Sequence, residues 1–249
     1  MNAARLNFSH GTYDDHLRRI NEVKRLRTQL DKPVALLLDT RGPEIRIGTL
    51  KNGQVQLQDG AVVTITTKAI TGDETCLPVN HAKITEDVKP GQKVLIDDGN
   101  IELECLSTGL DALTCKVIKG GTVKNSKGVN IPGAKLSLPY LSKKDIEDIL
   151  FGVEHGVDFI AASFVSCAED VMAIRKLLDR NLAHNVQIIA KIENMSGVNN
   201  IDEILAVSDG LMVARGDMGV EIDFEELPRI QKHIIKRAYW AGKKVITAT

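Results

Sequence analysis

A capped helix followed by an apolar strand occupies residues 142–165, which read SKKDIEDILFGVEHGVDFIAASFV. Ser142 and Asp145 have the spacing of a capping box, and apolar residues follow at helical intervals until Gly156, which is placed to end the helix. Phe159–Val165 is almost wholly apolar, as is typical of a strand buried on both faces of a parallel sheet. This segment therefore predicts an α/β fold.

The same alternation of strand and helix extends in both directions along the chain. Towards the carboxyl end, strands separated by amphipathic helices are predicted at Val186–Ile192, Gly210–Ala214 and Val245–Ala248. Towards the amino end, strands at Arg5–Ser9 and Val34–Asp39 flank a helix that is capped near Thr12 and has the apolar residues Leu17, Ile20, Val23, Leu26 and Leu30. Six such strands fit an incomplete (β/α)8 TIM barrel better than a doubly wound sheet.

The segment between Gly42 and Leu138 has a different pattern. The turn pairs Asn52-Gly53 and Asp59-Gly60 separate short stretches of alternating polarity, which predicts β-hairpins. The segment contains no aromatic residue, so its core must be aliphatic. We expect a small all-β lid domain inserted after a barrel strand, which divides the chain into 1–42 (barrel), 43–138 (lid) and 139–249 (barrel).

The composition excludes several classes of protein. Hydrophobic residues make up 43% of the 249 residues, and the formal net charge is -1 with Arg and Lys scattered, so we expect neither nucleic acid nor a membrane as a partner. No apolar stretch could span a bilayer, and no signal peptide is visible. The four cysteines lack metal spacing and are predicted to be buried in a reducing compartment, the cytoplasm (Cys76, Cys105, Cys115 and Cys167).

Polar residues concentrate where the predicted barrel strands end. These residues are Asn7 and Ser9, Asp39 and Thr40, Lys191 and Glu193, Arg215, Gly216 and Asp217, and Thr249. In a barrel these ends converge on one mouth, where active sites lie. Asn7 and Ser9 are two residues apart, as are Lys191 and Glu193, so each pair is expected on one side of its strand.

Long motifs at these positions resemble those of the pyruvate kinase family. They are RLNFSHG (5–11), LDTRGPEIR (38–46), KGVN (127–130), AKIEN (190–194), MVARGD (212–217) and ITAT (246–249). The resemblance covers essentially the whole chain, with departures such as Arg41, where Lys is usual. It also implies that the first and last barrel strands and a C-terminal domain are absent, so that the chain is truncated at both ends and inactive alone.

The resemblance implies a role for each residue at the mouth. Lys191 would stabilise the charge that develops on the phosphoryl group and the enolate, and Glu193 and Asp217 would hold Mg²⁺ or Mn²⁺, which prefers carboxylates. Gly216 and Asp217 would offer backbone N–H groups to the substrate carboxylate, at a helix start. Arg5 would contact phosphate, and Thr249 would sit near the reacting carbon.

The resemblance also implies a potassium site and a nucleotide site. Potassium would be bound by oxygen atoms of Asn7, Ser9, Asp39 and Thr40, and Glu44 accompanies potassium dependence in the family. Arg46 and Lys127 would contact ADP or ATP. The implied function is phosphoryl transfer from phosphoenolpyruvate to ADP, which gives pyruvate and ATP as the last step of glycolysis, in an intact enzyme that is a homotetramer.

Two other readings fit parts of the sequence. A metal-dependent aldolase or lyase that acts on 2-oxo acids would share the Glu/Asp metal site, but the inserted segment with Lys127, together with Arg5 and Arg46, favours a nucleotide phosphate. A catalytically dead paralogue would typically lack a metal ligand or the catalytic Lys. Both are present here.

Overall fold

The amino-terminal part of the chain forms a strand, a helix and a second strand. The computed structural model describes residues 1–134 and 136–248. The first elements are β1 (Ala3–Asn7), α1 (Tyr13–Gln29) and β2 (Ala35–Asp39). Thr12 caps α1 in a capping box with Asp15, as predicted.

The predicted apolar face of α1 is only partly correct. Ile20 is fully buried, but Leu26 and Leu30 are 37% and 59% exposed. Leu30 follows the last helical residue, so the apolar pattern continues past the end of the helix. His16 is buried instead, and its ring stacks on Phe8 with the ring centroids 4.0 Å apart.

A β-rich segment follows, with a short 3-10 turn at Lys51–Gly53. Its other elements are β3 (Ile45–Arg46), β4 (Gln54–Leu57), β5 (Val62–Thr66), β6 (Cys76–Pro78), α2 (Ile84–Asp87), β7 (Lys93–Ile96), β8 (Ile101–Thr108), β9 (Ala112–Lys119), β10 (Gly121–Lys124) and β11 (Gly128–Asn130). Seven strands form one sheet in the order β3-β11-β7-β8-β9-β5-β6, and β4 pairs with β10. The buried side chains of its core are Ile, Leu, Val and Cys.

The predicted hairpins at Asn52-Gly53 and Asp59-Gly60 are wrong, although the chain turns at both places. Asn52 and Gly60 have φ angles of 56° and 79°, as such turns require. However, β4 pairs with the distant β10, with Val55 opposite Val123, and the hairpins are instead β7–β8 and β8–β9. The alternating polarity is confirmed, because every second residue is buried in β4 and in the first half of β8.

The remainder of the chain alternates helix and strand. Its elements are α3 (Lys143–Glu154), β12 (Phe159–Ala162), α4 (Ala168–Arg180), β13 (Gln187–Ile192), α5 (Met195–Asn199), α6 (Ile201–Val207), β14 (Gly210–Val213), α7 (Arg215–Glu221), a 3-10 turn at Phe224–Glu226, α8 (Leu227–Trp240) and β15 (Lys244–Thr247). The predicted capping box of Ser142 and Asp145 is confirmed. Gly156 follows α3 with a φ angle of 62°, which glycine adopts at little cost.

Six strands from the two ends of the chain form one parallel sheet. Their order is β1-β2-β12-β13-β14-β15, and every pairing is parallel. Leu36 and Leu38 are fully buried, and Leu37, between them on β2, packs with Ala161 and Ile189, so both faces of the sheet are covered. This is the predicted α/β fold, an incomplete (β/α)8 barrel.

The chain divides into two compact units. The first comprises Met1–Pro43, Pro139–Met218 and Glu225–Thr249, and holds the parallel sheet. The second comprises Glu44–Leu138 and Gly219–Phe224. Within the described ranges, no helix has the length and apolar character needed to cross a membrane.

The cysteines are only partly buried. Cys105 and Cys115 are buried in the second unit, as predicted, but Cys76 and Cys167 are half-buried, so the prediction is wrong for these two. Cys76 lies in the outermost strand of its sheet, and Cys167 directly precedes α4, so neither lies in the centre of a packed layer.

Candidate active site

The carboxyl ends of the parallel strands bring several of the predicted residues together. Asn7 and Asp39, the last residues of β1 and β2, lie opposite each other in the strand register. Lys191 lies near the end of β13, and Glu193 follows it directly. Because all these strands run in one direction, their side chains meet at one edge of the sheet.

Lys191 lies at the centre of this edge and is 7% exposed. Its Nζ atom is 2.9 Å from Glu193 Oε1, 3.1 Å from Asp39 Oδ1 and 2.8 Å from Ser163 Oγ. Burial alone would lower the pKa of the Lys191 ammonium, but the charges of Glu193 and Asp39 outweigh this effect and raise the pKa above its ordinary value. Lys191 is therefore a buried cation held between two carboxylates.

Glu193 is buried and has one oxygen that is free of hydrogen bonds. One carboxylate oxygen accepts the backbone N–H of Phe164, whereas Oε1 is near Lys191 but accepts no hydrogen bond of acceptable geometry. Burial raises the pKa of Glu193 to about 7; the Lys191 ammonium opposes this shift, and the charge of Asp217 adds to it. Burial therefore dominates the protonation of Glu193.

Asp39 lies between two cations. Arg5 Nε is 2.5 Å from Asp39 Oδ2, and Lys191 contacts Oδ1. The Asp39 side chain is 1% exposed, whereas that of Arg5 is 56% exposed, so the outer face of the guanidinium is open to solvent. Arg5 could accept an anion on that face without leaving Asp39.

Ser163 belongs to this cluster, although the sequence analysis did not single it out. It is 2% exposed and directly follows β12. Its Oγ atom is 2.7 Å from the Thr40 carbonyl oxygen and 3.2 Å from Asp39 Oδ1, and its N–H donates to Thr40 Oγ1 at 3.1 Å. The predicted strand Phe159–Val165 placed Ser163 inside a strand rather than at its end, so its polar side chain within an apolar run was the one signal available.

The expectation that Asn7 and Ser9 lie on one side of the same strand is wrong. The strand ends at Asn7, and Ser9 lies in the turn that follows, where its N–H donates to Asn7 Oδ1 at 2.9 Å. The two residues are therefore joined by the turn, with the Asn side chain accepting from the backbone two residues on, as Asx turns do. Lys191 and Glu193 do meet, although Glu193 also lies one residue beyond its strand.

The remaining residues predicted for the barrel mouth follow β14 and β15. Gly216 and Asp217 lie in the first turn of α7 and are exposed. Arg215, at the start of α7, donates through Nε to the Ala248 carbonyl oxygen at 2.7 Å, which ties the ends of these two strands together. Thr249 lies outside the described residues.

The predicted nucleotide contacts belong to the second unit. Arg46 Nε donates to Glu44 Oε2 at 2.8 Å, and its NH1 group donates to the Ser126 carbonyl oxygen at 2.7 Å. Lys127 Nζ lies 2.6 Å from Asp97 Oδ1, a contact that raises the pKa of Lys127. Both cations already have a carboxylate partner, so a phosphate would have to compete with it or share the cation.

The donor set at the sheet edge fits hard cations. Among the described residues no three His, Cys, Asp or Glu side chains form a metal-binding cluster. Mg²⁺ does not need one, because it is usually held by one or two carboxylates together with water and substrate phosphates. Glu193 and Asp217 are carboxylates of this kind, and Asn7, Ser9, Asp39 and Thr40 add oxygen atoms at the ends of β1 and β2 and in the segments that follow them.

Comparison with known proteins identifies the family. A family model described as pyruvate kinase, barrel domain, matches residues 1–249. The chain belongs to the pyruvate kinase family. Pyruvate kinases from Sporosarcina psychrophila and Clostridium perfringens are 51% and 48% identical to it over its whole length, and it spans 43% and 53% of their lengths.

A solved pyruvate kinase has the same fold. The crystal structure of a pyruvate kinase from Cryptosporidium parvum superposes with a TM-score of 0.95 at 39% identity, and the match covers 100% of this chain and 52% of that one. The chain therefore corresponds to about half of the pyruvate kinases that it matches. The family resemblance predicted from the motifs is confirmed.

Proposed function

We propose that this chain provides the catalytic centre of a pyruvate kinase that transfers a phosphoryl group from phosphoenolpyruvate to ADP, giving pyruvate and ATP. The observation that carries the proposal is the buried ammonium of Lys191, held between Asp39 and Glu193 at the carboxyl edge of the sheet. A fixed cation in a site from which water is excluded can stabilise charge that develops on a phosphoryl group and on an enolate oxygen. Family membership supports this reaction over an aldolase or lyase.

The residues around Lys191 have separate tasks in this proposal. Glu193 and Asp217 would hold Mg²⁺ or Mn²⁺, which neutralises phosphoryl oxygens when it is bound. Arg5 would bind the phosphate of phosphoenolpyruvate through its exposed face while it keeps its contact with Asp39. The N–H groups of Gly216 and Asp217 would receive the substrate carboxylate. The position of Thr249 near the reacting carbon stays a prediction from the family motif.

Potassium and the nucleotide are the other proposed ligands. Asn7, Ser9, Asp39 and Thr40 would supply the potassium ligands, all of them oxygens. Arg46 and Lys127 would bind the phosphates of ADP or ATP, in exchange for part of their present ion pairs. The homotetramer and the cytoplasmic location stay predictions of the resemblance and the composition.

A chimeric enzyme tests the proposal. Residues 1–249 would replace the matching segment of the Geobacillus stearothermophilus pyruvate kinase, which is 50% identical. We expect ADP-dependent formation of pyruvate from phosphoenolpyruvate, measured by coupled oxidation of NADH, and its loss in Glu193→Gln together with weaker Mn²⁺ binding. Pyruvate formation from a 2-oxo acid without ADP would favour the aldolase or lyase, and a folded chimera without turnover would favour the dead paralogue.

A further inference from the structure

Ser163 is the uncharged hydrogen-bond partner of the Lys191 ammonium. Lys191 Nζ donates to Ser163 Oγ at 2.8 Å, and it lies at ion-pair distance from the carboxylates of Asp39 and Glu193. An ammonium group between two carboxylates can shift towards either of them, since Coulomb attraction depends weakly on angle. A hydrogen bond, in contrast, weakens steeply when it is bent.

The proton of the Ser163 hydroxyl is engaged elsewhere, so the oxygen is available as an acceptor. Oγ is 2.7 Å from the Thr40 carbonyl oxygen and 3.2 Å from Asp39 Oδ1, which makes the Thr40 carbonyl the better acceptor of its proton. A hydroxyl has one donor and two acceptor lone pairs. Lys191 therefore donates into a lone pair of an oxygen whose own proton is directed to Thr40.

The backbone around Ser163 holds this hydroxyl in place. The Tyr140 hydroxyl donates to the Ser163 carbonyl oxygen at 3.0 Å. Gly42, with a φ angle of 77°, packs so closely that a Cβ atom there would lie 3.0 Å from Ser163 Cβ. The next residue, Phe164, has a φ angle of 55° and donates its N–H to Glu193. One turn thus positions both Lys191 and Glu193.

We propose that Ser163 is a positioning residue that aims the Lys191 ammonium at the transferring phosphoryl group; this inference rests on the proposed function. Asp39 also forms an ion pair with Arg5, and Glu193 is proposed to bind the metal ion, so each carboxylate has a second cationic partner. Ser163 accepts from Lys191 and has no other cationic partner within the described ranges. The hydrogen bond from Lys191 to Ser163 is therefore retained when other cations bind the two carboxylates.

The test is Ser163→Ala in the chimeric enzyme, with Ser208→Ala as the matched control. Ser208 is as deeply buried as Ser163, but its Oγ has no hydrogen-bond partner. Hydrogen-bond partners that orient metal ligands typically contribute ~10–100-fold to activity, and we expect the same range for a partner that orients an ammonium group. We expect kcat to fall by that factor in Ser163→Ala, while KM for phosphoenolpyruvate and the Kd for Mn²⁺ change less than about threefold. Ser208→Ala should leave all three constants unchanged.

Each other outcome counts against the inference. A kcat in Ser163→Ala within about twofold of the parent would show that Lys191 does not need this acceptor. A loss of kcat accompanied by equal losses of Mn²⁺ binding and of thermal stability would show that Ser163 only supports the fold. If the parent chimera folds but has no activity, the proposed function itself fails, and this inference fails with it.

Discussion

Replacing Lys191 by Met removes the positive charge and keeps most of the side-chain volume. Lys191 is 7% exposed, and its partners Asp39 and Glu193 are each 1% exposed, so two carboxylates lose a buried counter-charge. Breaking a buried ion pair by removing one partner costs about 3–5 kcal/mol. Asp39 keeps Arg5, and the pKa of Glu193 is already about 7, so Glu193 can take up a proton near neutral pH. We therefore expect the low end of that range, about 3 kcal/mol.

The effect of Lys191→Met on turnover is expected to be larger than its effect on binding. Loss of one preorganised electrostatic contact typically costs ~10²–10³ in kcat, and loss of a full cation costs at least as much. Removing the ammonium removes its repulsion of Mn²⁺, which strengthens binding, but it also makes Glu193 easier to protonate, which weakens binding. Mn²⁺ affinity should therefore change by less than about tenfold. The turnover of the chimeric enzyme and its urea unfolding measure the two quantities.

Lys143→Met is the matched control for this variant. The Lys143 side chain is 93% exposed, and its Nζ atom is 3.9 Å from Glu147. An exposed pair of this kind contributes about 0–1 kcal/mol, so stability should fall by less than about 1 kcal/mol and turnover should not change. If Lys191→Met retained more than a tenth of the parent turnover, or if it were as stable as Lys143→Met, the reasoning on the buried ammonium would be refuted.

Three further predictions follow from the other ion pairs, a buried carboxyl and the sheet edges. In the chimeric enzyme, Glu44→Lys should weaken the stimulation of activity by KCl at constant ionic strength. It should also change KM for ADP, because Arg46 loses its ion-pair partner. A parent enzyme that KCl does not stimulate would contradict the first expectation. Burial raises the pKa of Glu221 from 4.5 to about 7, so the folded chain retains a proton that the unfolded chain releases, and stability falls as pH rises between these values. Glu221→Gln should therefore raise the free energy of unfolding by about 1–3 kcal/mol at pH 8 and leave it unchanged at pH 4, which urea titrations at both pH values would check. The 249-residue chain expressed alone should aggregate and show no turnover, because β1 and β15 each pair on one side only in the described sheet; a monodisperse, active chain would disprove this.

The strand-and-helix order of the barrel was predictable from the sequence because its signals are local. The capping residues Thr12 and Ser142 and the apolar runs of the strands each depend on a few consecutive residues. Strand pairing in the second unit was not predictable in the same way. The turn at Asn52-Gly53 exists, but β4 pairs with β10, since the partner of a strand is decided by which distant segments meet.

The residue types at the strand ends, and hence the family and the candidate site, could be read from the sequence. It did not determine their partners. Lys191 meets Asp39 and Ser163 only because β13, β2 and β12 are neighbours in the folded sheet. Ser163 looked like one more residue of an apolar strand, and only the end of β12 at Ala162 and the turn at Phe164 place its hydroxyl beside the ammonium. The contact between Lys191 and Ser163 spans 28 positions and that between Ser163 and Thr40 spans 123, and such contacts depend on chain topology, which no local pattern records.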